Sequence, residues 1–199
     1  MDGNGREKNE FEWEREFRRM DERVAACMAE IPSVLDLPGE DDLLRKRIAK
    51  KKPEFAVDRW DSKRLDDDNA DFGEQDFPGD WKELDGADIY MLAENLAGNW
   101  ARGIAVALPA SARPVALRIL CRHGKIVGYA VDLIDAARDD DPHIKVAICK
   151  RLAAEAEATL EDLSDKNIPK RVVERHCAAL RELREKALDM LFKQRSGAS

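Results

Sequence analysis

The sequence predicts an all-α protein, an up-down-up-down four-helix bundle preceded by an extended N-terminal arm that contains one amphipathic helix. Three observations lead there. The 199 residues are 38% charged and only 6% aromatic, with much Ala, Leu, Glu and Arg, a composition that favours helix over sheet. Apolar residues recur at spacings of three and four over long stretches, which is the period of one helix face. The breaks between those stretches are short and carry Pro, Gly or Asp. The length suits one ordinary domain with a small additional element.

Charge and aromatic content divide the chain. Residues 1–85 hold 16 Lys and Arg against 25 Asp and Glu, a balance of −9, whereas residues 86–199 hold 18 against 16, a balance of +2. Eight of the twelve aromatic residues also precede residue 86. An acidic segment with spaced aromatics builds little core of its own, but it can dock those aromatics on another surface. The division is therefore an arm over 1–86, with a helix over 10–31 and a linker over 53–86, and a bundle over 87–196. Trp13, Phe17, Met20, Val24, Ile31, Trp60 and Trp81 are the partner-contact candidates of the arm.

The first element, 10–31, has Trp13, Phe17, Met20, Val24, Cys27 and Ile31 at alternating steps of four and three, one apolar seam. Glu14 and Arg18 are an i,i+4 pair on another face. Pro32 and Leu37-Pro38-Gly39 end it. A short helix follows from Asp41 to about Lys50, stopped by Pro53. The first bundle helix covers roughly 87–108 with Ile89, Leu92, Ala93, Leu96, Trp100, Gly103, Ile104 and Ala107 on one face, and Leu108-Pro109 breaks it. The second covers roughly 112–138, with Ala116, Ile119, Leu120, His123, Val127, Ala130, Val131 and Ile134 expected inward. Gly124 and Gly128 weaken it and leave room for a close neighbour. Asp141 as N-cap and Pro142 as first residue start the third, which runs to Leu163 with Ile148, Leu152, Ala156, Leu160 and Leu163 inward. The fourth begins after Pro169 and runs to about Arg195 on Val173, His176, Cys177, Leu180, Leu183, Ala187, Met190 and Leu191.

Several function classes fall away on pattern alone. No stretch approaches the ~20 apolar residues of a membrane helix. MDGNGREKNEFEWERE has no apolar core behind a basic end, so a secretory signal is not expected there, and four cysteines without close pairing are not a disulfide framework. A cytoplasmic location is the resulting expectation. The Asp66–Asp68 and Asp139–Asp141 runs lack the acid spacing of a calcium loop. The chain holds no Glu-x-x-His for a di-iron bundle and no phosphate-cradling Gly loop or nucleophile elbow. Cys121 and His123 are two apart and His176 and Cys177 are adjacent. One helix presents two metal ligands together at i,i+3 or i,i+4, so these residues are read as packing and no metal or cofactor is expected.

Two basic patterns remain. Arg45, Lys46, Arg47, Lys50, Lys51 and Lys52 place six cations within eight residues, a cluster suited to phosphates and also to a helix C-terminus. Arg113, Arg118, Arg122, Lys170, Arg171 and Arg175 gather on the second and fourth bundle helices. With the first cluster, they are the nucleic-acid candidates. The spacing Arg-x-x-x-x-His occurs at Arg118–His123 and at Arg171–His176. It resembles the motif of the HEPN family of helical ribonucleases, in which the His serves acid–base cleavage and the Arg stabilises phosphate charge. Ile119 and Val172 stand where that motif commonly has a polar residue.

Residues 87–195 resemble the four-helix-bundle family of proteins encoded in ribosomal-RNA intervening sequences, which includes the accessory variability protein of diversity-generating retroelements. The likeness lies in a first helix closing at Leu108-Pro109 with Arg113 four residues on. A long helix with Arg118 and Leu120 follows, ending in Leu133-Ile134-Asp135-Ala136, and a shorter third helix leads to a fourth after a turn. Residues 1–86 have no counterpart, and the +2 balance is lower than in the basic retroelement proteins. The resemblance implies a non-enzymatic, ring-like homo-oligomer that contacts a reverse transcriptase or structured RNA. The functional expectation is thus a non-catalytic accessory or adaptor protein that self-associates and binds a protein or nucleoprotein partner, with no membrane or small-molecule partner. A ribonuclease or toxin–antitoxin component using Arg118, His123, Arg171 and His176 is the alternative, and a purely structural assembly adaptor is a third.

Overall fold

The computed structural model describes residues 8–30, 33–34, 37–55, 81–139 and 142–197. Ile31, Trp60, the Asp66–Asp68 run, the Asp141 cap and most of the 53–86 linker lie outside the described residues. Among the described residues the chain is all-α, with six helices of twelve residues or more and no strand. They are α1 (Glu10–Glu30), α2 (Glu40–Lys51), α3 (Ala87–Asn99), α5 (Arg113–Asp139), α6 (Pro142–Leu163) and α7 (Lys170–Gly197). A π-turn (Trp100–Ile104) and the single-turn α4 (Ala105–Ala107) prolong α3. No helix is long and apolar enough to cross a membrane.

The chain divides into two compact units, one holding the described residues 8–13 and 81–197, the other 14–55. In the second unit Glu30 organises the join between α1 and α2. Lys51 Nζ donates to Glu30 Oε1 at 2.6 Å, the Arg47 guanidinium lies 3.8 Å from its Oε2, and Arg47 Nη1 also donates to Ser33 Oγ. Gly39 enters α2 with φ of 73°, a backbone conformation that glycine adopts without steric cost. The start of α1, which belongs to the first unit, is closed by a reciprocal cap. Asn9 N–H donates to Glu12 Oε2 and Glu12 N–H donates to Asn9 Oδ1, the reciprocal exchange of a capping box.

In the first unit α3, α5, α6 and α7 pack together, each helix touching the next and α7 returning to α3. Paired contacts give the directions. Trp100 bonds to Ala116 while Gly86, at the opposite end of α3, abuts Leu133, so α3 and α5 run in opposite senses. Arg118 reaches Asp162 and Arg122 reaches Glu155, which orients α5 against α6. Lys186 meets Asp88 at 2.5 Å while the His176 ring lies beside Trp100, which opposes α7 to α3. The turn between α6 and α7 is held by Asp165 Oδ1, which accepts the Asn167 backbone N–H, the local bond by which Asp favours turns. Glu10 bonds to Lys150 and Arg195, tying the first turn of α1 to α6 and α7.

The shared core is aliphatic around one large aromatic. Ile89, Leu96, Trp100, Ile119, Ile126, Leu133, Ile134, Ile148, Leu152, Leu180 and Leu183 are essentially inaccessible. On α5 Ala116, Ile119, His123, Ala130 and Ile134 are buried as expected, but the inward face is turned from the expected one. Leu120 is exposed and Val127 and Val131 are half-buried, while Val115, Ile126, Tyr129 and Leu133 point inward. The helix carries two overlapping apolar stripes, and the bulkier one fills the core. Leu160, Cys177 and Met190 also sit at the margin of the core rather than within it. Among the described residues no neighbour approaches Gly124 or Gly128, since a Cβ at either would meet nothing within 4 Å. A glycine packed against a buried side chain is Gly86. Its φ is 97°, and a Cβ there would stand 2.8 Å from Leu133 Cδ2.

Candidate functional site

The two buried histidines of the core meet in one layer. His123 on α5 and His176 on α7 both point inward, and their Nε2 atoms are 2.9 Å apart. The rings meet edge to face at 4.9 Å between centroids. Trp100 closes the layer, 5.4 Å from the His176 ring and 6.0 Å from the His123 ring, and donates its Nε1–H to the Ala116 carbonyl. Thr159 on α6 is buried as well, its hydroxyl donating to the Glu155 carbonyl.

An imidazole pair at that distance needs one donor and one acceptor, so the two neutral rings carry opposite tautomers. His123 Nδ1 is buried without a hydrogen-bond partner. The arrangement that orphans no buried N–H therefore has His123 donating from Nε2 and keeping Nδ1 as a bare acceptor. Burial pushes the His123 pKa down to about 3, with a further contribution from His176, and burial alone lowers His176 to about 4. Both rings are uncharged at neutral pH. Burial also raises the thiols of Cys121, Cys149 and Cys177, Cys149 to about 12, which removes the thiolate needed for nucleophilic or metal chemistry. Among the described residues no group of three or more His, Cys, Asp or Glu side chains is placed to hold a metal ion.

The two arginines of the repeated Arg-x-x-x-x-His spacing have different fates. Arg118 Nε donates to Asp162 Oδ1 at 2.8 Å. Arg122 bridges Asp162 Oδ2 at 2.7 Å and Glu155 Oε2 at 3.0 Å, and Lys125 Nζ donates to Glu155 Oε1 at 3.0 Å. These five side chains lock α5 to α6 and neutralise two of the expected nucleic-acid cations. Arg171 is exposed near the start of α7 and shares no contact with the histidine pair.

The remaining cations cluster at one end. Since Trp100, where α3 closes, bonds to Ala116 in the first turn of α5 and packs on His176 in the second turn of α7, all three of those termini share an end of the helical core. Arg113 opens α5 and Lys170 and Arg171 open α7, and neither helix has an acid in its first turn. Arg175 follows one turn later and Arg102 projects from the π-turn, both exposed. Arg113, Lys170, Arg171 and Arg175 have no ion-pair partner among the described residues. Cations at a helix N-terminus oppose the macrodipole by about 0.3–1 kcal/mol each, so stability does not account for their placement.

In the other unit the α2 cluster is partly neutralised. Arg47 and Lys51 serve Glu30, and Arg45 and Lys52 make loose 3.9 Å contacts with Asp42 and Glu54. Lys46 and Lys50 stay exposed without an ion pair among the described residues. Of the aromatic candidates, Trp81 packs edge to face on Tyr90 at 5.4 Å. Phe17 is buried, Trp13 is half-buried, and Met20 and Val24 stay 52% and 41% exposed. No protein-family model, curated protein or solved structure matches this chain.

Proposed function

We propose that this chain is a non-catalytic helical adaptor that self-associates and binds a polyanionic, RNA-bearing partner through the end of the core where α5 and α7 begin. The rigid part is read as an up-down-up-down four-helix bundle and the α1–α2 segment as a second contact element. One observation carries the reading. Lys170, Arg171 and Arg175 stand exposed and without ion-pair partners among the described residues, at the start of α7, where positive charge is locally unfavourable. A phosphate there relieves both the dipole and the like-charge repulsion. The resemblance to the intervening-sequence and retroelement bundle family points the same way, toward structured RNA or a reverse transcriptase as the partner.

The burial of both imidazoles supports binding over cleavage. An acid–base residue needs contact with its substrate and a pKa near the working pH. His123 and His176 are sealed under Trp100, with pKa values of about 3 and 4. The test is titration of the full chain with a structured RNA across salt concentrations. Affinity should fall linearly on a log–log plot, and the combined change Lys170→Ala, Arg171→Ala and Arg175→Ala should flatten the slope by about one unit per residue. Affinity indifferent to salt, or a triple variant with the wild-type slope, overturns the reading.

A further inference from the structure

The outward face of α5 is uncharged for about four turns in a chain that is 38% charged. Leu117 and Leu120 are 55% and 39% exposed, and Gly124 and Gly128 are exposed with open space above them. Cys121, Val127 and Val131 lie half-buried along the same face. From Leu117 to Val131 the stripe is about 21 Å long at 1.5 Å per residue. Charge returns at its two ends with opposite sign, Arg113 before it and Asp135 beyond it, both exposed.

We propose that this face is the contact between two copies of this chain, with the α5 helices antiparallel about a two-fold axis at Gly124. The sequence around that glycine is what selects the occupant. In such a pair, residues equidistant from Gly124 share a level. Arg113 and Asp135, eleven positions to either side, come to the same level, as do Leu117 and Val131, Cys121 and Val127, and Leu120 and Gly128. A large side chain thus meets a bare backbone, which lets the helices approach closely. A parallel pair would instead set Arg113 beside Arg113 and Asp135 beside Asp135.

The groups around the charged ends are consistent with an arriving arginine. Arg113 has no ion-pair partner among the described residues. Asp135 has only a loose contact, 3.7 Å from the Arg138 guanidinium one turn away. Burial, and after it the nearby Asp135, hold the Asp132 carboxyl above the usual carboxylate range. The two-fold axis uses the Arg113–Asp135 pair twice.

The inference deepens the self-association part of the proposed function and makes no use of nucleic acid. Sedimentation of the full chain without RNA is expected to show a dimer. Arg113→Asp or Asp135→Arg alone should raise the dissociation constant about tenfold, since each reversal creates two like-charge contacts, and the two together should restore it. Gly128→Leu should weaken the dimer while raising the melting temperature of the monomer, because Leu is the better helix former. Circular dichroism confirms that each variant is folded. Three results overturn the proposal: a chain monomeric well above micromolar concentration, an assembly indifferent to these changes, or single reversals that the double change does not rescue. An assembly abolished by Met20→Asp with Val24→Asp and untouched by the α5 changes belongs to the second, assigning association to α1. Asp135→Arg lies far along α5 from Lys170, Arg171 and Arg175, so its RNA affinity reports separately on the proposed function.

Discussion

His123 and His176 show how much of a side chain's behaviour comes from its partner. Each sits on an apolar helix face, and that much is visible in the 3.6-residue period. That they meet each other is not, because the meeting depends on the relative heights of α5 and α7, which are 53 residues apart. Both folded-state pKa values, about 3 and about 4, lie below the roughly 6.5 of a free imidazole. Below pH ~6.5 the unfolded chain therefore binds more protons than the folded one. The pair's contribution is complete above that pH and is lost as pH falls toward the folded values. The melting temperature should drop between pH 7 and pH 4, partly through this pair. In His123→Leu with His176→Leu that part of the drop disappears, because replacing both partners leaves no polar group to protonate. Melts across the range check it, and parallel curves for wild type and double variant contradict it.

Arg122 makes a second case at this scale. It was expected to face a phosphate but bonds two carboxylates of α6, a pairing that again needs the register between helices. Arg122→Met leaves Asp162 and Glu155 each short of a charged donor and should cost roughly 1–3 kcal/mol in urea unfolding. Arg118→Met should cost under about 1 kcal/mol, because Arg118 is half exposed and Asp162 keeps Arg122. Equal losses would mean that the network is not centred on Arg122.

Among the elements, helix extents were legible, and so was the rotation of α3, α6 and α7, whose expected inward residues are mostly buried, but that of α5 only in part. Pro109, Pro142 and Pro169 mark boundaries by their own backbone chemistry, independent of tertiary context. Which face of α5 turns inward was ambiguous, since its apolar residues cover more than half of the helix surface and only packing against α3 and α6 chooses among them. The glycines follow the same logic with opposite signs. Gly86→Ala combines a left-handed backbone with a contact on the buried Leu133 side chain, and should lose roughly 1–3 kcal/mol. Gly128→Ala adds a Cβ into open space on a helix, and should gain up to about 1 kcal/mol in the monomer. Chemical denaturation of both variants tests the pair, and destabilisation by Gly128→Ala would show that face to be already occupied.

For the molecule as a whole, the net charge of −7 gives the wrong impression of where an anion can bind. The acidity belongs mostly to the first 85 residues, and within the basic remainder the cations are not equivalent. Arg118 and Arg122 count as positive in the sequence but stand among Asp162 and Glu155 in the fold. A polyanion sees those positions as nearly neutral, while Lys170, Arg171 and Arg175 still carry uncompensated charge and condensed phosphate counterions can be exchanged for them. The proposed RNA contact therefore makes a graded prediction. Arg171→Ala or Arg175→Ala should each weaken binding at low salt and lower the log–log salt slope by about one. Arg118→Gln should leave the slope unchanged within error, since it removes a cation already answered by Asp162. Measured at several ionic strengths on the same RNA, equal slopes for all three variants would put the phosphate contact outside this end of the core. A slope lowered by Arg118→Gln alone would place it on the α5–α6 face.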